Sequence, residues 1–226
     1  MSQILDSAVE DEHIQKNPCK SKRIAIKTTT ETIPRDALDL VRFKQILHSL
    51  LGMGDDERRL AAVAMCTGCR RGEVLGLRWE DIDLENNVLH IARNVVHAQT
   101  NQPTVTTPKT KKGKRDIPID PILLKLLEPL GKSGYILCMS DGSPITLRRY
   151  NTIFGHIRER YSLEHKTLHV LRHSYLTYAA SVATDLKAFQ AIAGHKDIST
   201  TMNLYVHPRI ESMRSLSSNV HALLEQ

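Results

Sequence analysis

Aromatic residues are scarce in this 226-residue chain, at 4% of the total with three Phe and one Trp. A core of native density must therefore rest on Leu, Ile, Val and Ala rather than on stacked rings. Long apolar runs are missing too. No stretch reaches the ~18 uninterrupted apolar residues of a membrane-spanning helix, so no transmembrane segment is expected. The opening MSQILDSAVEDE holds four acids and no base. Signal and transit peptides carry the opposite charge, so a cytoplasmic protein is expected. Cysteines are few, at positions 19, 66, 69 and 138. In a reducing compartment they are expected as free thiols. No internal repeat or low-complexity segment is visible.

What the chain does have is positive charge, with a formal net charge of +6 and a pI of about 9.2. That balance is compatible with a nucleic-acid partner without establishing one. The length suffices for one sizeable core, or for one domain plus an extension.

Residues 1–35 differ in texture from the rest: acids first, then NPCKSKR, then a threonine run before Pro34. They are expected to be a linker or remnant. A helical domain is expected from Asp36, which is positioned to cap a helix with an apolar face of Leu40, Phe43, Leu47 and Leu51. A second helix spans roughly 57–66 and stops at Gly68; a third starts near Arg70. VLHIARNVV, PTVTT and KRDIPI are short β-branched segments between polar turns, expected as a small antiparallel sheet of three strands. Helices then resume behind Asp120-Pro121, Thr146, Thr167 and Asp185, the last of them stopping at Gly194. ESMRSLSSNVHALLE reads as a final helix. The expected fold class is mainly α with a small antiparallel three-stranded β-sheet.

Four stretches carry candidate chemistry. In CTGCRRGEVLGLRW, Cys66 and Cys69 form a C-x-x-C pair, but a helix rather than a strand precedes it and no second ligand pair lies at zinc spacing. Packing is the simpler account of both thiols. Arg70 follows a bend-permitting glycine at the first turn of a helix, where backbone N–H groups and a guanidinium make an anion site. In TLHVLRHSY, His169 and Arg172 are three apart and share a helix face, so both can serve one phosphate. His165, His169 and His173 also raise a metal reading, weakened by the absence of a carboxylate base and by the charge of Arg172. In AGHKDISTTMNLYVHP, His195 follows a helix-ending glycine and Tyr205 comes ten residues later. Tyrosine is a poor nucleophile unless flanking cations stabilise its phenolate. In TPKTKKGKRDIPI, five of the seven residues from Lys109 to Arg115 are basic. Lys109 is the candidate for chemistry; Lys111, Lys112, Lys114 and Arg115 are candidates for DNA contact. Arg148 and Arg149, near the start of the helix opened by Thr146, join them.

In this order the elements T-G-x-R-x-x-E, a lysine in a β-turn, H-x-x-R, G-H and Tyr resemble the tyrosine recombinase (phage integrase) family, of the phage and conjugative-transposon type. The resemblance covers the chain from about residue 36 to the end. It implies the catalytic-domain fold of that family, with Arg70, Lys109, His169, Arg172, His195 and Tyr205 as the catalytic set, Tyr205 as nucleophile and Glu73 bracing the cluster. It implies cleavage and rejoining of double-stranded DNA through a 3′-phosphotyrosine, with no cofactor and no metal. It also implies integration or excision of a mobile element, in a homotetrameric synapse formed from a chain that is a monomer when free. Accessory DNA-bending or directionality proteins are further implied partners, and a membrane is not. Residues 1–35 would then be the remnant of an N-terminal core-binding domain, 36–209 the catalytic domain, and 210–226 a helix docking on the neighbouring protomer. The chain is accordingly expected to be a fragment, nucleoid-associated when bound to DNA. Two alternatives remain: type IB topoisomerase-like relaxation, and a non-catalytic DNA-binding regulator.

Overall fold

The computed structural model describes Ile14, Asn17 and residues 37–97, 101–107, 114–131, 133–163 and 166–194. The chain divides into two units, Met1–Arg35 and Asp36–Gln226; the described elements belong to the second.

Seven helices and five strands follow one another among the described residues: α1 (Leu40–Ser49), α2 (Asp55–Thr67), α3 (Arg71–Gly76), β1 (Ile82–Asp83), β2 (Val88–Ile91), β3 (Asn94–His97), β4 (Pro103–Thr106), β5 (Arg115–Pro118), α4 (Pro121–Leu127), α5 (Leu147–Arg160), α6 (His169–Val182) and α7 (Leu186–Ala193). No described helix is long and apolar enough to cross a membrane.

Helix α2 is the centre of the core. Leu60, Ala61, Ala62, Val63, Ala64 and Met65 are all buried, so the helix is enclosed on every side in its second half. It packs against α4, α5 and α6. Three acids in its first turn complement the positive end of its dipole. Its C-terminus turns at Gly68, which sits in the left-handed region at φ 63°. Arginines secure neighbouring helix ends. Arg58 and Arg59 on α2 donate to Leu126 O and Leu127 O at the end of α4, and Arg42 donates to Tyr161 O at the end of α5.

Local rules account for most helix starts. The Asp120 carboxylate accepts from Ile122 N with Pro121 at the first helical position, Thr146 accepts from Arg149 N, and Asp185 accepts from Lys187 N and Ala188 N. Two starts differ from the sequence expectation. Helix α1 is capped by Asp39, whose carboxylate accepts from Arg42 N at 2.8 Å. Its buried residues are Phe43 and Ile46, with Leu50 just beyond, while Leu40 and Leu51 are exposed. Leu38 sets this rotation: its N–H donates to the buried Ser174 Oγ and its carbonyl accepts from Tyr178, both on α6. Helix α6 begins at His169 behind Leu168 rather than on a Thr167 cap.

The expected three-stranded antiparallel sheet is present, in the order β1-β2-β5, with Leu89 opposite Ile117 and Ile91 opposite Arg115. Its membership differs from the expectation in two respects: Ile82–Asp83 (β1) supplies an edge strand that was not expected, and PTVT does not belong to it. VLHIARNVV is two strands broken at Ala92-Arg93, and the second half pairs with PTVT as a separate two-stranded ribbon, β3-β4. Arg93 leaves the strand path to bond both carboxylate oxygens of Asp81 at 2.7 Å.

Candidate functional site

Arg70 is the N-cap residue of α3. Glu73, three residues on, accepts from Arg70 N at 2.8 Å, and its other oxygen accepts from Arg70 Nη1 at 2.9 Å. Glu73 is 5% exposed. A second guanidinium meets it there: Arg115 donates Nη1 and Nη2 to the two Glu73 oxygens at 3.0 and 2.9 Å, the bidentate fork that binds carboxylates most strongly. Burial alone would push the Glu73 carboxyl up. The hydrogen bonds and charge of Arg115, helped by Arg70, outweigh it and bring the carboxyl down to about 2.

Arg172 enters from α6 and is buried. It donates to the Gly68 carbonyl at the end of α2 and to Ala193 O, at 2.8 Å, near the end of α7. Burial, then the positive charges of Arg70 and Arg115, push it down to about 10, well above neutral pH, so it stays charged. The three guanidinium groups thus gather around one carboxylate, which leaves an excess of positive charge. They also share a second target. Arg70 Nη2 donates to Gly194 O at 2.7 Å and Arg115 Nε to Ile192 O at 2.9 Å, beside the Arg172 bond to Ala193 O. The negative end of the α7 dipole is held by all three.

Beside this cluster opens a cleft of about 750 Å³, lined by Arg70, Arg71, Arg158, Lys166 and His169 among others, with no acid among the described residues of its wall. Arg71 lies over the Tyr150 ring, its Cζ 5.3 Å from the centroid. Planar guanidinium groups on this cleft, with no acid among its described lining residues, suit a phosphate-class anion better than a cationic or neutral ligand.

Of the residues singled out from the sequence, Arg70, Glu73 and Arg172 come together, and His169 lies exposed on the same cleft. Lys109, Lys111, Lys112, His195, Tyr205 and residues 210–226 lie outside the described residues, as does His165. Among the described residues no three His, Cys, Asp or Glu side chains gather as metal ligands. Lys114 is exposed, and so are Arg148 and Arg149, the latter paired with Asp56 at 2.5 Å. Arg115 is not on the surface where the charged turn suggested: its side chain is 5% exposed. The signal was in the strand alternation, which puts Arg115 on the same face as buried Ile117. The thiols are raised by burial first, Cys66 to about 12 and Cys69 to about 11, unlike reactive or metal-binding cysteines.

The domain is mainly helical, and Arg70, Arg71 and Arg158 stand on one cleft beside the cluster of Arg70, Arg115 and Arg172. The chain belongs to the phage integrase family, whose model matches residues 41–211. It is 30% identical over 229 residues to a tyrosine recombinase XerC-like protein of Caldanaerobacter subterraneus subsp. tengcongensis, over 88% of this chain and 58% of that one. It is 27% identical over 229 residues to the transposase from transposon Tn916 of Enterococcus faecalis, over 91% and 56%. The chain therefore spans less than two thirds of the length of these curated relatives. In fold it is similar to the Tn1549 transposon integrase in complex with a circular intermediate DNA, with TM-score 0.76, 24% identity and coverage of 97% of this chain and 76% of that one. The catalytic domain of bacteriophage HP1 integrase is similar at TM-score 0.52 and 18% identity, over 75% and 86%.

Proposed function

We propose that this chain carries the cleaving and rejoining centre of a site-specific DNA recombinase that integrates or excises a mobile element. The observation that carries the reading is the meeting of Arg70 and Arg172 from separate helices, beside a cleft with no acid among its described lining residues, at the end of the helix that leads into His195. The names of similar proteins, transposon and phage integrases among them, support the same reading.

In the proposed reaction the Tyr205 oxygen attacks a backbone phosphorus and the bond to the 5′-oxygen breaks. A 3′-phosphotyrosine and a free 5′-hydroxyl result. A 5′-hydroxyl from a partner duplex then attacks the phosphotyrosine and releases the tyrosine, so the phosphodiester is exchanged without ATP. The transition state carries added negative charge on its non-bridging oxygens. Arg70 and Arg172 hold that charge, and His195 donates a further hydrogen bond. Losing one such donor costs roughly 10²–10³ in rate. Lys109 protonates the departing 5′-oxygen, and His169 orients the phosphate or assists proton transfer at Tyr205. Lys114, Arg148 and Arg149 contribute to the DNA-facing surface, together with Lys111 and Lys112. Residues 1–35 are read as the link to a core-binding domain, and 210–226 as a helix that docks on a neighbouring protomer in a four-protomer synapse.

The test uses nicked suicide duplexes carrying the ends of the parent element, resolved on SDS gels with EDTA present and Tyr205→Phe alongside. An SDS-resistant adduct that disappears in the variant is expected. DNA binding without an adduct, where another recombinase traps well on its own duplex, would replace this reading with that of a non-catalytic regulator. On a supercoiled plasmid assayed in parallel, relaxed circles without strand exchange would point to a topoisomerase-like activity.

A further inference from the structure

We propose that Arg115 is a positioning residue of this centre: paired with Glu73, it anchors the end of α7 from which the chain runs into His195. The proposal rests on the recombinase reading and adds a residue to its machinery.

Strand β5 turns Arg115 inward, and all three of its guanidinium nitrogens are engaged inside the protein, two on Glu73 and one on Ile192 O. Its side chain is 5% exposed and does not line the cleft. Arg70 is different, with a side chain 38% exposed on the cleft wall. When Arg70 turns toward a phosphate it gives up its hold on Gly194 O, while Arg115 keeps Ile192 O beside the Arg172 bond to Ala193 O.

The packing at this corner is close. Gly194 lies in the left-handed region at φ 60°, and a Cβ built there meets Arg115 Cζ and Nη1 at 3.0 Å and Arg70 Nη1 at 3.1 Å. The guanidinium planes therefore lie directly on the last turn before His195. A lysine cannot substitute, because one ammonium does not span both Glu73 oxygens and a helix carbonyl at once. Glu73 has a matching role: it fixes the Arg115 fork in the plane that meets α7, and it holds Arg70 by the same carboxylate.

The experiment compares the 226-residue chain with Arg115→Met, Arg115→Lys and the double variant Glu73→Gln/Arg115→Met, the last also removing the carboxylate charge that the first leaves with Arg70 alone. The first readout needs no DNA. Hydrogen exchange at the amides of residues 190–196 is expected to speed up at least tenfold in Arg115→Met, with α4 unchanged. Arg115→Lys gives the same readout should the Met variant fail to fold. The second readout is single-turnover adduct formation on the nicked duplex, with DNA affinity measured at two salt concentrations. Cleavage is expected to fall about 100-fold in Arg115→Met, while affinity and its salt slope stay as in wild type. Arg115→Lys should recover less than a tenth of the lost rate. In Arg115→Met the cleavage rate should also gain an acid limb, as Glu73 keeps only Arg70 as partner, and the double variant should lack it.

Unchanged exchange at the α7 end overturns the proposal. So does weakened DNA binding with a salt slope shallower by about one, which returns Arg115 to a phosphate contact. If wild type binds the duplex but forms no adduct, the recombinase reading falls, and the exchange readout alone decides whether Arg115 anchors α7.

Discussion

Replacing Glu73 with glutamine keeps the shape of the side chain and removes the one negative charge among three arginines. The folded protein holds this carboxyl at about 2, against an ordinary value of 4.5. By linkage that difference is worth about 3 kcal/mol of folding free energy. The cost of breaking a buried pair, about 3–5 kcal/mol, is an independent route to the same magnitude. The sign follows from the direction of the change. A carboxyl lowered on folding contributes its full stability above 4.5 and loses it as pH falls through about 2. Glu73→Gln should therefore be less stable than wild type by about 3 kcal/mol at pH 7, with the gap narrowing below pH 4.5 and closing near pH 2. Urea unfolding across that range, followed by fluorescence of the single tryptophan, Trp79, measures it directly. Equal urea midpoints at pH 7, or a gap of constant size down to pH 2, would mean that the Glu73 charge contributes nothing to the fold.

Other expectations can be checked with the same unfolding assay. In Gly68→Ala the added methyl meets Tyr175 ring carbons at 2.6 and 3.1 Å with φ at 63°. Backbone strain and overpacking together should cost about 3 kcal/mol. Asp81→Ala leaves Arg93 without the carboxylate it bonds twice at 2.7 Å and removes the acceptor for Arg78 N, for a loss of about 3 kcal/mol. Maleimide at pH 7.5 should label exposed Cys138 at least ~100-fold faster than Cys66 and Cys69, whose thiols burial holds up at about 12 and 11. Mass spectrometry of the labelled peptides gives the ratio, and equal labelling before urea is added would contradict the burial argument.

Features that depend on near neighbours along the chain were legible before any packing was known. Asp120 and Asp185 cap helices because a carboxylate two or three residues ahead reaches the free N–H groups. Gly68 and Gly194 end helices because only glycine takes the left-handed turn without cost. His169 and Arg172 were legible as neighbours because residues three apart share a helix face, whereas Glu73 beside Arg70 was legible through the family resemblance. Tertiary structure decided the rest. The face of α1 followed the anchoring of Leu38 on α6 rather than the spacing of its leucines. Strand partners followed the break at Arg93, which turns outward to a carboxylate twelve residues back. Above all, charge alone did not say which arginine meets which partner. Arg42 and Arg58 secure ordinary helix ends. Arg70, Arg115 and Arg172 reach the end of α7 across 124, 77 and 21 residues of chain. A run of lysines and arginines reads as a solvated surface until packing turns one of them inward. For Arg115 the decision was made by the sheet face it shares with Ile117 and by the buried carboxylate waiting there, and no local spacing encodes that meeting.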